Sequence, residues 1–350
     1  MFSVLQIDEF RDGKERVYLD VRSPLEYEKA HLPGALSFPL FSNEERAMVG
    51  TCYKQKSARE AMLLGLEYVG PKMADFVREA QRINPRGLPI RLYCFRGGER
   101  SQSMAWLLNK GGFKVELLDG GYKAYRRQVL QSFGEKQNVL ILSGCTGAGK
   151  TRLLHELRAR GEQILDLEGL ASHRGSAFGG YHQPPDLTTE MFQNLLQDAW
   201  RNFDRNCRLW IEDEGRTLGR LLLPDGLWEQ MRLAPVVFLD LAQEHRIGIL
   251  VEEYGGYDRA LLGESIDKIS RRLGGLNHKL CKDALECGDL KEVTRHCLNY
   301  YDKAYLHCLQ KREPVKLWTL SLTGTDTKVN ASALLEFVKE QNRGLAPSVR

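Results

Sequence analysis

Residues 144–151 read Gly-Cys-Thr-Gly-Ala-Gly-Lys-Thr, a complete G-x-x-x-x-G-K-S/T string set directly behind the apolar run 139–142. A buried strand that feeds a glycine-rich turn and then a helix dictates an α/β layer, because a parallel strand must be crossed over by a helix. The glycines Gly144, Gly147 and Gly149 let successive backbone N–H groups converge on an anion at the helix N-terminus. Lys150 adds a point charge and the Thr151 hydroxyl a ligand for magnesium, so the expected ligand is a diphosphate or polyphosphate.

Residues 1–134 are enough for a domain of their own, which divides the chain into 1–134 and 135–350. With 42% hydrophobic and 27% charged residues, and no apolar stretch near the roughly 20 residues of a membrane helix, membrane insertion is not expected. The first ten residues carry acids and lack a basic stretch followed by an apolar run, so no secretory signal is read and a cytoplasmic location is expected. Eight cysteines without a C-x-x-C pair read as reduced thiols. A net charge of +4 is mild. Local basic clusters at Arg96 and Arg100, at Lys123, Arg126 and Arg127, at His173 and Arg174, and at Arg271 and Arg272 would suit several phosphates, although each alone reads more readily as a solvated helix face.

In the first domain, the strand-like 90–93 runs into Cys94, Arg96, Gly97, Gly98, Arg100 and Ser101, then an apolar-periodic helix. A cysteine at such a strand-to-helix turn faces backbone N–H groups, the positive helix end and two arginines, all of which favour a thiolate, so Cys94 is the candidate nucleophile. In the second domain a helix is expected over 152–160 and strands over 163–167, 208–214 and 236–239. Asp166, Glu168 and Asp213 then fall near strand ends, where they can hold magnesium or position an acceptor. The loop 169–185 mixes anion binders and glycines; His173, Arg174 and Ser176 are its candidate phosphate or base contacts, with Arg271 and Arg272 in a helical lid.

The first domain resembles the rhodanese family of sulfurtransferases through Asp20-Val21-Arg22-Ser23-Pro24, His31-Leu32-Pro33-Gly34-Ala35, the Cys94 loop and Asp119-Gly120-Gly121-Tyr122. Five positions separate Cys94 from Arg100, one more than in many sulfurtransferases, so the loop suits a larger tetrahedral anion. Nearly the whole chain resembles the tRNA 2-selenouridine synthases, in which a rhodanese domain is fused to a phosphate-loop domain. The carrying strings are Gly50-Thr51-Cys52-Tyr53-Lys54, the Cys94 loop, 116–122, 144–151, 166–170, 173–179, Glu212-Asp213-Glu214 and Arg271-Arg272-Leu273-Gly274.

The resemblance implies a rhodanese-like α/β domain, then a parallel-sheet phosphate-loop domain with a helical C-terminal part. It implies exchange of sulfur for selenium in the 2-thiouridine at the tRNA wobble position. A geranyl group from geranyl diphosphate first goes onto sulfur, and selenium from selenophosphate then displaces geranylthiol. Magnesium, tRNA and an enzyme supplying selenophosphate are the implied cofactor and partners. Two readings from other classes stay open: an ATP-dependent tRNA thiolase or kinase using a Cys94 persulfide, and a non-catalytic anion-sensing regulator.

Overall fold

The computed structural model describes residues 2–172, 187–310 and 316–343. Two compact units emerge: Met1–Ser132 together with Leu187–Asp198, and Phe133–Asp186 together with Ala199–Arg350. No described helix is long and apolar enough to cross a membrane.

The first unit runs β1 (Ser3–Leu5), α1 (Ile7–Phe10), β2 (Val17–Asp20), α2 (Pro24–Lys29), β3 (Leu36–Ser37), α3 (Asn43–Gln55), α4 (Ala58–Val69), α5 (Met73–Ile83), β4 (Ile90–Tyr93), α6 (Glu99–Lys110), β5 (Val115–Leu118) and α7 (Gly121–Ser132). The strands form a parallel sheet in the order β1-β5-β4-β2-β3. β4 and β5 are buried along their whole length, as expected of interior strands in a sheet covered by helices on both faces. Leu19, Ile90, Leu92, Met104, Leu108 and Leu117 form the core.

The second unit opens with β6 (Asn138–Gly144), α8 (Lys150–Ala159), β7 (Gln163–Leu165) and α9 (Leu167–Ala171). α10 (Thr189–Trp200) follows in sequence, although residues 187–198 belong to the first unit. Then come β8 (Arg208–Glu212), a small hairpin of β9 (Thr217–Leu218) and β10 (Leu221–Leu222), α11 (Asp225–Leu233), β11 (Val236–Leu241), α12 (Gln243–Tyr254), α13 (Arg259–Lys268), α14 (Ser270–Leu273), α15 (Gly275–Glu286), α16 (Leu290–Gln310), β12 (Leu317–Leu322) and α17 (Thr327–Arg343). The main sheet is parallel in the order β12-β11-β6-β8-β7. The phosphate-loop strand β6 is therefore central, and helices α12–α16 form the expected helical part.

Several boundaries differ from the sequence expectation: the helix expected over 152–160 spans Lys150–Ala159, the strand expected over 208–214 stops at Glu212, and the one expected over 236–239 runs on to Leu241. The strand expected over 163–167 stops at Leu165, because Asp166 caps α9 by accepting a hydrogen bond from the Gly169 N–H at 2.7 Å. An aspartate that satisfies an orphan helix donor ends the strand there.

Candidate functional site

In the first unit, Cys94 follows buried β4 and is itself 3% exposed. Its Sγ lies 3.2 Å from the Oγ of the fully buried Ser101, which donates to the Gly98 carbonyl at 2.9 Å. Gly97 takes φ +71° and Gly121 φ +59°. A Cβ on Gly121 would stand 2.4 Å from the Cys94 carbonyl oxygen and 2.5 Å from the Gly97 nitrogen. Only glycine lets the start of α7 close over the loop, and that closure is clamped by Tyr122 N–H to the Cys94 carbonyl and Lys123 N–H to the Phe95 carbonyl, each 2.9 Å.

The two loop arginines separate. Arg100 donates to Glu26 at 2.7 Å, which, against the opposing effect of burial, holds the Glu26 carboxyl below its ordinary range. Arg96 is exposed, its guanidinium 5.9 Å from the Phe95 ring centre. Sequence reasoning gave Arg22 no role, yet it is buried, forks onto Asp20 at 2.9 and 2.5 Å, and stacks 3.8 Å from the Tyr122 ring centre. A fixed buried cation beside the strand ends was signalled only by the Asp-x-Arg spacing. An open concavity of about 610 Å³ beside the loop is lined by Lys29, Phe95, Tyr122, Lys123, Arg126 and residues of α10. Arg126 is held there by Asn194 at 2.5 Å and Gln193 at 2.7 Å.

In the second unit, Lys150 donates to the Gly144 carbonyl at 2.9 Å, folded back along its own loop. Gly147 and Gly149 take φ +82° and +75°. A Cβ on Gly147 would approach Leu250 of α12 to 2.9 Å and the Arg246 carbonyl to 3.0 Å, so α12 lies directly on the loop. Buried Arg246 fixes that contact by donating to the Thr146 carbonyl at 3.1 Å and to both carboxylate oxygens of Asp302 at 2.8 and 2.7 Å. One guanidinium thus ties loop, α12 and α16 together.

Glu168, Glu212 and Glu214 bring carboxylate oxygens within 4.8 Å of one another. Thr151 donates to Glu168 at 3.1 Å and to Glu212 at 3.2 Å. Burial, reinforced by the Glu168 charge, pushes the Glu214 carboxyl up to about 7 and Glu212 well above its ordinary value, while Lys150 opposes both shifts. Oε1 of the fully buried Glu212 has no hydrogen-bond partner among the described residues. Crowded carboxylates, an orphaned acceptor and the phosphate-loop hydroxyl together fit a hard divalent cation, which prefers oxygen ligands.

The sequence-predicted acids divide accordingly. Glu168 is in the cluster. Asp213 lines the same cavity outside the cluster and accepts from Ser143 at 2.9 Å and from the Tyr305 hydroxyl at 2.8 Å, and Asp166 caps α9 and pairs with His155 at 3.0 Å. The run Glu212-Asp213-Glu214 reads from sequence as the place for a metal-linked acid, with Asp213 chosen within it; the cluster takes its neighbours Glu212 and Glu214 instead, because alternation along an extended chain puts i and i+2 on one face. Arg272 lines the loop cavity, whereas Arg271 is exposed outside it. His173, Arg174 and Ser176 lie outside the described residues.

These groups open onto a cavity of about 640 Å³. It is lined by the loop, Glu168 and Glu214, by Ile249, Leu250, Tyr254, Tyr300, Tyr301 and Ala304, and by the charged Arg152, Arg232, Glu253 and Arg272. Trp228 also lines the cavity, while Trp200 is buried against Phe133.

A family model described as the tRNA 2-selenouridine synthase AAA domain matches residues 137–333, and one described as a rhodanese-like domain matches residues 4–128. A tRNA 2-selenouridine synthase of Shewanella pealeana is 35% identical, covering 84% of this chain and 89% of that one. One of Nitrosomonas europaea is 36% identical, covering 67% of this chain and 63% of that one. A crystal structure of the N-terminal domain of a protein from Clostridium difficile 630 shares 40% identity over 37% of this chain and 99% of its own, with a TM-score of 0.35. Both domains are matched in order, and a relative is aligned over most of its length: the chain belongs to the tRNA 2-selenouridine synthase family.

Proposed function

We propose that this tRNA-modifying transferase replaces the sulfur of 2-thiouridine at the tRNA wobble position with selenium in two steps, with geranyl diphosphate and selenophosphate as co-substrates. The observation that carries this reading is a phosphate loop that opens into a cavity also lined by Ile249, Leu250, Tyr254, Tyr300 and Tyr301, a combination that suits a diphosphate ester of a hydrocarbon.

In the first step the thiocarbonyl sulfur attacks C1 of the geranyl chain; the C–S bond forms, the C–O bond breaks and diphosphate departs. Lys150 and the loop N–H groups take up the charge that develops on the leaving oxygen, where a preorganised donor is worth most. Glu168, Glu212, Glu214 and Thr151 would hold magnesium, which when bound neutralises diphosphate charge. In the second step the selenium of selenophosphate bonds to C2 of the base and geranylthiol leaves; water then cleaves the P–Se bond, releasing phosphate. Cys94 orients that selenium at the N-terminal end of α6, supported by the glycine-braced loop and the neighbouring Arg96. Arg100 acts indirectly, through Glu26. The tRNA backbone is drawn to Lys29, Lys123 and Arg126 around the concavity beside Cys94, so affinity falls with salt.

The test is nucleoside mass analysis of 2-thiouridine tRNA incubated with the protein, magnesium and geranyl diphosphate, before and after selenophosphate. Lys150→Ala is expected to lose the geranylated product by about a hundredfold or more. Cys94→Ala is expected to accumulate that product and lose the selenated one. A wild-type protein that alters thiouridine only when ATP is supplied overturns the reading and points to a thiolase or kinase.

A further inference from the structure

Beside the phosphate-loop cavity lies a smaller one of about 60 Å³. The two share Thr146, Leu250, Tyr254 and Tyr301, so they meet at the loop itself. From there the smaller space runs between α12, α13 and α16, walled by Val251, Leu262, Val293 and Leu298. Its other hydroxyl-bearing wall residue, Thr294, spends its O–H on the Leu290 carbonyl at 2.7 Å. A nucleotide base or ribose needs donors and acceptors it can pair with; past the Thr146, Tyr254 and Tyr301 hydroxyls at the junction the wall offers few, so burying its polar edges there would cost affinity. A saturated or allylic chain needs none, and gains from every methylene removed from water.

We infer that this annex is the seat for the far end of the hydrocarbon chain of an allylic diphosphate whose phosphates occupy the loop. This rests on the proposed geranyl-donor reading and deepens it by naming the residues that recognise the chain. The two spaces are adjacent, because Thr146, Leu250, Tyr254 and Tyr301 line both. The size difference between the two spaces assigns the parts. The proximal carbons lie along Tyr254 and Tyr301, which line both spaces, and the annex takes the terminal branch, so a five-carbon ester, with half the carbons, buries less chain against its walls.

The experiment measures binding of inorganic diphosphate, dimethylallyl diphosphate and geranyl diphosphate to the full chain with magnesium, by calorimetry. Two variants accompany the wild type: Val251→Phe, which fills the annex, and Leu298→Ala, which enlarges it. Wild type is expected to bind geranyl diphosphate at least tenfold more tightly than the five-carbon ester, with a more negative heat-capacity change. Val251→Phe is expected to erase that tenfold margin, and Leu298→Ala to reduce it at least threefold, with inorganic diphosphate bound within twofold of wild type in both. A margin that survives both variants, or a loss equal for all three ligands in both, overturns the annex while leaving the geranyl reading intact. A wild type that binds geranyl diphosphate no more tightly than inorganic diphosphate, and transfers no geranyl group to tRNA, removes the reading and the annex together.

Discussion

Glu214 shows how a single carboxyl records the chemistry of its surroundings. Burial, then the charge of Glu168, pushes it up to about 7, so the folded chain holds a proton that the unfolded chain releases near 4.5. A raised carboxyl favours folding fully below the unfolded value and loses that contribution as pH climbs through the folded one. Without metal, the second unit should therefore lose on the order of 2–3 kcal/mol between pH 5 and pH 8, with Glu212 shifting in the same direction. Glu214→Gln should flatten that profile, and magnesium should restore stability at pH 8 in the wild type far more than in the variant. Thermal unfolding across pH, with and without the ion, checks all three. At Cys94 the residue-scale expectation concerns product rather than stability: Cys94→Ser should melt within about 2 °C of wild type, since a near-isosteric change leaves the clamps to Tyr122 and Lys123 in place, yet halt the reaction at the geranylated nucleoside.

Elements are held to the sites by contacts far apart in sequence. Arg246 and Asp302 stand 56 positions apart and join α12 to α16 over the phosphate loop. Arg246→Ala removes a buried guanidinium that bonds the Thr146 carbonyl and leaves half-buried Asp302 unpaired, so it should cost about 2 kcal/mol, and the double variant with Asp302→Ala should cost less than the two changes summed; a denaturant double-mutant cycle measures this. Gly121→Ala should destabilise the first unit by about 2 kcal/mol or more and block selenation, because its Cβ would meet the Cys94 carbonyl. The same distances explain what the sequence made legible. The phosphate loop and the Cys94 turn are contiguous strings whose chemistry is written in order, and strand β4 was readable to the residue. Three successive acids, by contrast, carry no face until Glu212 is set in register against Leu142 of β6. The end of β7 was readable in principle, since Asp-x-x-Gly is a cap, but the strand pattern ran on past it.

At the scale of the molecule, residues 187–198 stand out, because they lie inside the span matched by the second family model yet pack with the first unit. Asn194 donates to the His31 carbonyl at 2.8 Å and to the Tyr122 hydroxyl at 3.0 Å, and Tyr122 donates to Glu190 at 2.9 Å. An amphipathic helix tells from its pattern that it has a buried face, not which core receives it. A fragment of residues 1–134 should therefore melt at least 5 °C below the same fragment with residues 187–198 joined through a flexible linker, as calorimetry would show.

That borrowed helix also sets a schedule. During synthesis the chain from Ser132 must grow to Asp198 before the first unit has all its parts, and at roughly 5–20 residues per second that is about 3–13 s of waiting. Through that interval the seats of Asn194 and Glu190 on Tyr122 and Arg126 stand open at the ribosome. A nascent first unit is thus a natural client for chaperones, and a gene split between the two domains would deliver a half that never receives its last helix.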